Sequence, residues 1–185
     1  MATVPTRKRD PEATRARILD AAQRAFSETG YSHTGIREIA ALAGTSSTLL
    51  LRYFGSKAGL FEAALIAAMP VESVTGTPRG ALGRTLAERL LDPANAIRPP
   101  LMIAMAAGDP EAAAIAAQVV EERSIAPLAK WLGGADARAR AFEIAILATG
   151  LVSYLRQLPL ADTASVQPAI ADWFAVTVQA VVERA

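Results

Sequence analysis

Apolar residues recur at intervals of three and four along most of the chain, which is the pattern of amphipathic helices. The first such segment contains Ile18, Ala22 and Phe26. It follows a helix-start signal at residues 10–12, where an aspartate precedes a proline and a glutamate, and it ends at Gly30. No segment alternates with a period of two, which would indicate a strand. The pattern therefore predicts an all-α protein of about nine helices.

Three short helices follow one another near the start of the chain. The second is predicted for residues 35–43 with Thr34 as its cap, and the third begins at Thr45 or Ser46 and reaches about Tyr53. Gly44 lies between them. Two helices joined by such a tight glycine turn are typical of a helix-turn-helix, here at about residues 34–53. We predict a disordered basic arm at residues 1–10, a helix-turn-helix domain at 11–57 and a second domain at 58–185.

The second domain is predicted to be helical throughout. Its expected helices cover about residues 57–69, 79–91, 101–107, 109–132, 135–158 and 168–183, with a kink at Pro127. The last two are apolar on almost every side. A helix of that kind needs a second apolar surface beyond its own core. We therefore predict that these two helices form the four-helix interface of a two-fold homodimer.

Charge is distributed unevenly between the two predicted domains. Residues 1–57 contain nine Lys and Arg against five acids, whereas residues 58–185 contain ten against thirteen. A basic first domain on an acidic second domain favours binding of a polyanion by the first. Chance clustering of charges is the alternative at this level.

Composition excludes several classes of protein. The chain has no cysteine and one histidine, His33, so it has neither a thiolate zinc site nor a cysteine nucleophile nor a site of several histidines. No Ser-His-Asp arrangement or nucleophile elbow is evident. The longest apolar stretch, residues 144–155, is shorter than the roughly 20 residues of a membrane span. No apolar segment follows the basic residues 7–9, so no secretory signal is expected. We expect a cytoplasmic protein that is not an enzyme and that uses no metal or cofactor.

Several motifs occur in a fixed order between residues 11 and 65, about a third of the chain. They are Ile18-Leu19, Gly30-Tyr31, Thr34, Ile36-Arg37-Glu38-Ile39-Ala40, Ala43-Gly44-Thr45-Ser46, Tyr53-Phe54-Gly55-Ser56-Lys57 and Leu60-Phe61. In this order and spacing they resemble the DNA-binding domain of TetR-family regulators. The resemblance implies a homodimer that binds a two-fold symmetric operator in double-stranded DNA. It also implies a repressor that a small-molecule inducer releases.

Hydroxyl side chains crowd the start of the third helix, at Thr45, Ser46, Ser47 and Thr48. Short side chains there allow the helix to approach DNA closely, and the free amides of the helix end favour a phosphate. We take Ser47 and Thr48 as candidates for contact with base edges in the major groove. Taken alone, the same cluster is also an ordinary helix cap.

The resemblance adds further candidate DNA contacts. It implies that Arg37 reaches a guanine or a phosphate, that Tyr53 and Lys57 contact the DNA backbone, and that Thr34 adds a phosphate bond. Taken singly, Arg37 is equally a solvated surface residue and Tyr53 a packing residue. Leu51 stands where many relatives carry a DNA-contacting tyrosine. It either touches a thymine methyl or packs, and it is not included among the candidates.

A ligand site is predicted in the second domain near Pro127. The candidates are large apolar side chains that line a pocket if they face one another: Met102, Met105, Trp131, Phe142 and Tyr154. Ordinary core packing is the alternative for each. Few charged residues are expected to point inward, which favours an uncharged, apolar or aromatic effector.

The sequence therefore indicates a sequence-specific, ligand-responsive transcriptional regulator, a repressor by the resemblance. Two other functions stay open at this level. One is an enzyme on a helical bundle, and the other is a dimeric interaction or storage protein that has lost DNA binding.

Overall fold

The computed structural model of the chain describes residues 10–70 and 75–184. Within these two ranges the regular secondary structure is entirely helical, which confirms the all-α prediction. The predicted basic arm lies outside the described residues, except for Asp10. The first four helices are α1 (Pro11–His33), α2 (Ile36–Leu42), α3 (Ser47–Phe54) and α4 (Lys57–Ala68).

Five further helices complete the described part of the chain. A short 3-10 turn (Arg79–Ala81) leads into α5 (Leu82–Leu91), and α6 follows (Pro99–Ala106). The long helix α7 consists of an α-helical part (Pro110–Val120), a π-helical turn (Glu121–Ile125) and a second α-helical part (Ala126–Leu132). Helix α8 (Ala137–Val152) ends in a second π-helical turn (Ser153–Gln157), and α9 is Thr163–Glu183.

Two similar start signals cap two helices in the same way. The Asp10 carboxylate accepts hydrogen bonds from the amides of Glu12 and Ala13, at 2.9 and 3.2 Å. The Asp109 carboxylate does the same for the second and third residues of α7, at 3.0 and 3.1 Å. In each case a proline occupies the first helical position, where its missing N–H removes no hydrogen bond.

Three predicted helix starts are wrong by a few residues. Helix α9 begins at Thr163, and Pro168 lies inside it. Its missing donor removes one bond near the helix end, a loss that the buried positions further along α9 offset. Helix α6 begins at Pro99, because a proline is well suited to a first turn. Helix α2 is capped by Gly35, one residue after Thr34.

The first hydrophobic core joins α1–α4 to α6 and to the first half of α7. At its centre the rings of Phe26 and Phe61 meet edge to face at 5.1 Å, and Tyr31 lies 5.3 Å from Phe61. Buried side chains of α6 and α7, including Met102 and Ala112, belong to the same cluster. This core therefore extends past residue 57, where the sequence placed the domain boundary.

The second hydrophobic core is formed by α5, the second half of α7, α8 and α9. Helices α5 and α9 approach each other closely at Gly83. A Cβ atom there would lie 2.1 Å from the carbonyl oxygen of Ala175, so only glycine allows this contact between the two backbones.

Arg140 connects the ends of three helices inside the second core. Its side chain is only 2% exposed, and Nε donates to Asp136 at 2.8 Å. The other guanidinium nitrogens donate to the carbonyl oxygens of Arg184, at 2.8 Å, and of Gly133. A buried charge is tolerable when its donors are paired in this way.

Candidate nucleic-acid interface and ligand cavity

Helices α2 and α3 are held at a fixed angle by the turn between them. Gly44 has a positive φ of 61°, and the amide of Thr45 donates to the carbonyl oxygen of Ala40 at 2.9 Å. Ile39 of α2 and Leu50 of α3 are fully buried in the first core. These contacts fix α3 on the core through one face and leave its other face at the surface.

The N-terminal end of α3 carries exposed hydroxyl groups. Ser46 caps the helix, and its hydroxyl accepts from the amide of Leu49 at 3.2 Å. Ser46 and Thr48 are exposed, whereas Thr45 and Ser47 are half-buried. Arg37 of α2 is also exposed. The structure thus leaves the hydroxyl-rich end of α3 at the surface of the molecule.

Two further residues of α3 are exposed beyond this end. Leu51 is 41% exposed, so it does not pack in the core. Arg52 is exposed and lies one turn after Thr48, on the same side of the helix. Arg52 is not among the candidates predicted from the sequence, although its spacing of four residues from Thr48 is the signal that identifies it.

Thr34 needs a correction. Its side chain is 2% exposed, and its hydroxyl donates to the carbonyl oxygen of Gly30 at 2.6 Å and lies 2.7 Å from the hydroxyl of Thr29. Buried among these groups, the side chain cannot reach a phosphate. We therefore remove Thr34 from the candidate DNA contacts.

Tyr53 and Lys57 lie beside α1 rather than on the free face of α3. The Tyr53 hydroxyl is 3.4 Å from the carbonyl oxygen of Pro11, at the long end of hydrogen-bond distances. The Lys57 ammonium lies 4.4 Å from the centre of the Tyr31 ring, a cation–π contact. It is also 3.5 Å from the carbonyl oxygen of Ser32.

A polar contact connects the end of α1 to the start of α7. The Tyr31 hydroxyl donates to Glu111 at 2.5 Å, and the Ser32 hydroxyl donates to Asp109 at 2.9 Å. Burial, and then the hydrogen bond to Glu111, raise the pKa of Tyr31 above its usual value. The hydrogen bond from the backbone amide of Ala112, with that from Ser32, lowers the pKa of Asp109. Glu111 and Asp109 therefore act as acceptors for α1.

A second polar contact connects α1 to the start of α6. The guanidinium of Arg98 lies 2.7 Å from the Asp20 carboxylate and 3.2 Å from the side-chain oxygen of Gln23. The Arg98 side chain is only 19% exposed, so water screens this ion pair less than it would a surface pair. The first four helices are thus joined to the rest of the chain by packing and by two polar contacts.

A cavity of about 390 Å³ lies between the end of α4 and helices α5 to α8. This volume is within the range of small-molecule sites. Its wall is mostly aliphatic, with Leu86, Ile103, Val120 and Val152 among the lining residues. Two arginines, Arg89 and Arg123, also line it.

None of the five predicted ligand-site residues lines this cavity. Met102 is buried in the first core, Met105 contacts Gly30, and the Trp131 ring lies under the guanidinium of Arg79 at 5.1 Å. Phe142 and Tyr154 are exposed on the outer side of α8 and its π-helical turn. The predicted set of ligand-site residues is therefore wrong, and two charged side chains, Arg89 and Arg123, belong to the cavity wall.

Neither a membrane span nor a metal site is found in the part of the chain that the structure describes. In the ranges 10–70 and 75–184, no helix is long and apolar enough to cross a membrane. The same ranges contain no group of three or more side chains placed to hold a metal ion.

Curated proteins resemble a segment of about a third of the chain. It is 44% identical over 57 residues to the HTH-type transcriptional repressor SCO4008 of Streptomyces coelicolor, a match that covers 31% of this chain and 30% of that protein. It is 44% identical over 63 residues to the HTH-type transcriptional regulator RutR of Escherichia coli, covering 34% and 30%. The matched segment thus spans under a third of the length of these relatives.

Solved structures resemble nearly the whole chain. A TetR-family regulator of Streptomyces coelicolor, SCO0857, is 26% identical with a TM-score of 0.58, and the match covers 96% of this chain and 99% of that one. NalD of Pseudomonas aeruginosa, the secondary repressor of the MexAB-OprM multidrug efflux pump, is 23% identical with a TM-score of 0.64 over 91% and 97%. The likeness to NalD shows a shared fold.

Two family descriptions match consecutive parts of the chain. Residues 18–64 match bacterial regulatory proteins of the tetR family, and residues 81–182, more than half of the chain, match the tetracyclin repressor-like C-terminal domain. The order of the two matches is that of the helix-turn-helix and the cavity-bearing helices described above. The chain therefore belongs to the TetR family of bacterial regulatory proteins, which are DNA-binding transcription factors and not enzymes.

Proposed function

We propose that this protein is a sequence-specific transcriptional repressor that binds its operator as a homodimer and is released by a small molecule. The observation that carries the proposal is the exposed, hydroxyl-rich end of α3 on a rigid helix-turn-helix. A major groove of about 12 Å admits a helix whose leading side chains are short. In this proposal Ser47 and Thr48 meet base edges, and Thr45 and Ser46 approach phosphates.

Arginines on either side of these hydroxyls supply the positive charge that DNA requires. Arg37 projects from α2 and Arg52 from the end of α3, and both are exposed. We assign Arg37 to a base edge, where its two parallel donors match a guanine, and Arg52 to a phosphate. Lys57 reaches DNA only if its ammonium leaves the Tyr31 ring, and Tyr53 only if its hydroxyl leaves Pro11. We therefore rank these two below Arg37.

Exposed apolar residues on α8 and α9 support the homodimer. Ile146 is 67% exposed and Val176 is 69% exposed, and Phe142 and Trp173 are exposed on the same two helices. Exposed large apolar side chains on two successive helices are suited to burial against a second copy of the chain. In the proposed dimer, we expect the two α3 helices to meet successive major grooves, roughly 34–36 Å apart.

The cavity supports release by a ligand because its wall continues into the contact with α1. Asn95 and Ile97 line the cavity, and the next residue, Arg98, bonds to Asp20 of α1. Arg156 holds the same loop from the other side by donating to the carbonyl oxygens of Leu90 and Asn95, each at 2.7 Å. A ligand that favours another position of this loop shifts the population of α1 orientations. Tenfold release of DNA requires a difference of about 1.4 kcal/mol in its affinity for the two states.

The test is binding to an operator fragment selected from genomic DNA, followed by fluorescence anisotropy over a range of salt. We expect affinity to fall steeply as salt rises, because cations leave the DNA when phosphates are neutralised. Arg37→Ala should weaken operator binding by about 1–3 kcal/mol while changing binding to random DNA much less.

The matched control is Lys130→Ala, which removes the same charge from an exposed position on α7. It should leave operator affinity unchanged. An affinity that does not change with salt would contradict the DNA-binding proposal itself. An Arg37→Ala effect of the same size on random DNA would contradict only the assignment of a base contact to Arg37.

A further inference from the structure

Arg123 faces the cavity and has no partner for its charge among the described residues. It is half-buried in the π-helical turn of α7, and it makes no hydrogen bond or ion pair with the residues that the structure describes. Removing part of the hydration of a guanidinium without supplying an acceptor costs free energy. A site that keeps such a group is suited to a ligand that brings the acceptor.

The acids nearest to Arg123 in the sequence are bonded elsewhere. Glu121 receives two hydrogen bonds from Arg138, at 2.6 and 2.9 Å, and Glu122 receives one from Gln118 at 3.0 Å. No acidic side chain is present among the described residues that line the cavity, and Arg123 contributes a positive charge to its wall. Among the described lining residues, the charge of Arg123 is therefore not offset by an acid of the cavity wall.

The π-helical turn brings two successive polar side chains to the same wall. In an α-helix neighbouring residues point about 100° apart, and a wider turn reduces that angle. Both Arg123 and Ser124 line the cavity in consequence. A carboxylate has two oxygens, which match a guanidinium and a hydroxyl as donors.

The rest of the wall is aliphatic. Its apolar side chains come from alanine, methionine, proline, leucine, isoleucine and valine, with no aromatic ring among the described lining residues. The volume of about 390 Å³ has room for roughly 13 groups of the size of a water molecule. The cavity therefore fits an alkyl chain of medium length better than a stacked aromatic ring.

We propose that the effector is an aliphatic monocarboxylate whose carboxylate binds Arg123 and whose alkyl chain lies against the apolar wall between α5 and α8. This inference rests on the proposed function, because it names the ligand class of the same cavity. It replaces the uncharged or aromatic effector that the sequence suggested. Arg123 is then the residue that determines selectivity for an acid over an alcohol.

The experiment compares sodium decanoate with decan-1-ol by isothermal titration calorimetry on the full chain, below the concentration at which decanoate forms micelles. We expect decanoate to bind the unaltered protein at one site per chain, at least about tenfold more tightly than decan-1-ol. Arg123→Gln should weaken decanoate binding about ten- to hundredfold, the usual size of a lost hydrogen bond to a charged group. It should leave decan-1-ol binding unchanged.

Two further variants separate charge from folding. Lys130→Gln removes a charge from an exposed position on the same helix and should change neither affinity. Arg123→Lys keeps the positive charge and should retain more decanoate affinity than Arg123→Gln, and it serves as the test if the glutamine variant does not fold. Equal binding of acid and alcohol to the unaltered protein, an absence of decanoate binding, or decanoate affinity that is insensitive to Arg123→Gln would each overturn the inference.

Operator binding is measured in parallel, so that the two proposals can fail separately. A protein that binds its operator but ignores decanoate contradicts the ligand class and leaves the DNA-binding function standing. A protein that binds decanoate through Arg123 without any change in DNA affinity supports the ligand class and contradicts release by this ligand.

Discussion

The proposed DNA-contacting surface on α2 and α3 and the cavity between α4 and α8 are built in opposite ways. The surface on α3 depends on consecutive residues, 45 to 48, at one helix end. The cavity wall is assembled from the end of α4, from four further helices and from the loop before α6. Its first and last lining residues, Ala68 and Val152, are more than 80 residues apart along the chain. A contiguous site can be recognised from the order of the amino acids alone, whereas a wall assembled from distant helices cannot.

Arginine illustrates the same difference at the level of single residues. Arg37 is exposed on α2, Arg140 is buried and donates to carbonyl oxygens, and Arg123 faces the cavity. Nothing in the residue type separates these three environments. The proposed roles follow from burial and from the available acceptors, which only the fold provides.

The largest expected effect concerns the apolar surface of α8 and α9. Val176→Glu places a charge on each side of the proposed two-fold interface, where like charges cost several kcal/mol. We expect dimer dissociation to increase by at least about 100-fold in sedimentation equilibrium, with a parallel loss of operator affinity.

The control for this variant is Ala114→Glu, at an exposed position of α7. It should leave the dimer intact. A Val176→Glu protein that stays dimeric at low concentration would place the interface elsewhere and would separate DNA binding from α9.

A smaller effect is expected at the contact between the two regions. Arg98→Gln removes the ion pair with Asp20 while leaving the loop anchored by Arg156. We expect the coupling between decanoate and operator binding to fall by about 1 kcal/mol, because the loop then moves with less effect on α1. The measurement is operator affinity with and without saturating decanoate.

Arg84→Gln is the comparison for that variant, since Arg84 lies on the exposed side of α5 with a long 4.0 Å contact to Asp172. Its coupling should equal that of the unaltered protein. Unchanged coupling in Arg98→Gln would mean that the signal travels through the packing of α6 and α7 instead.

The smallest effect is expected at Leu51. Its exposed side chain can contact a thymine methyl, a contact worth about 0.8 kcal/mol for one buried carbon. Replacing single thymines of the operator by uracil should weaken binding by up to this amount at one position in the unaltered protein. Leu51→Ala should lose that sensitivity while keeping its stability. Equal sensitivity to uracil in both proteins would show that Leu51 does not contact the methyl group.

The sequence predicted most of the fold because the signals that begin and end helices are local. The carboxylates of Asp10 and Asp109 cap α1 and α7 as expected, and Gly44 occupies the predicted turn. Thr34 was assigned wrongly because its burial depends on the kink that Gly30, with a φ of 76°, introduces into α1. Pro168 was wrongly taken as the start of the last helix. Packing further along α9 outweighs the one hydrogen bond that this proline removes inside the helix.

The candidate DNA-binding residues could be predicted from the sequence to a much larger extent than the ligand-site residues. The hydroxyls on α3 and the exposed position of Arg37 were accessible to sequence reasoning through spacing and resemblance. The ligand-site residues were not, because large apolar side chains occur in cores, on outer faces and around cavities alike. Met102 lies in the first core, Trp131 packs against the second core, and Phe142 is exposed on an outer face, so none of the three lies at the cavity.

The π-helical turn at Glu121–Ile125 lets one long helix serve both hydrophobic cores. Ala112, Ala116 and Val119 form a stripe toward the first core, and Ile125, Leu128 and Leu132 form one toward the second. In an uninterrupted α-helix, at about 100° per residue, these stripes would lie on opposite sides. The wider turn winds less per residue and brings the second stripe partly round toward the first. Deleting one residue there would rotate the second half of α7 against its neighbours. The angle between the two apolar stripes of α7 therefore depends on the one extra residue of the π-helical turn.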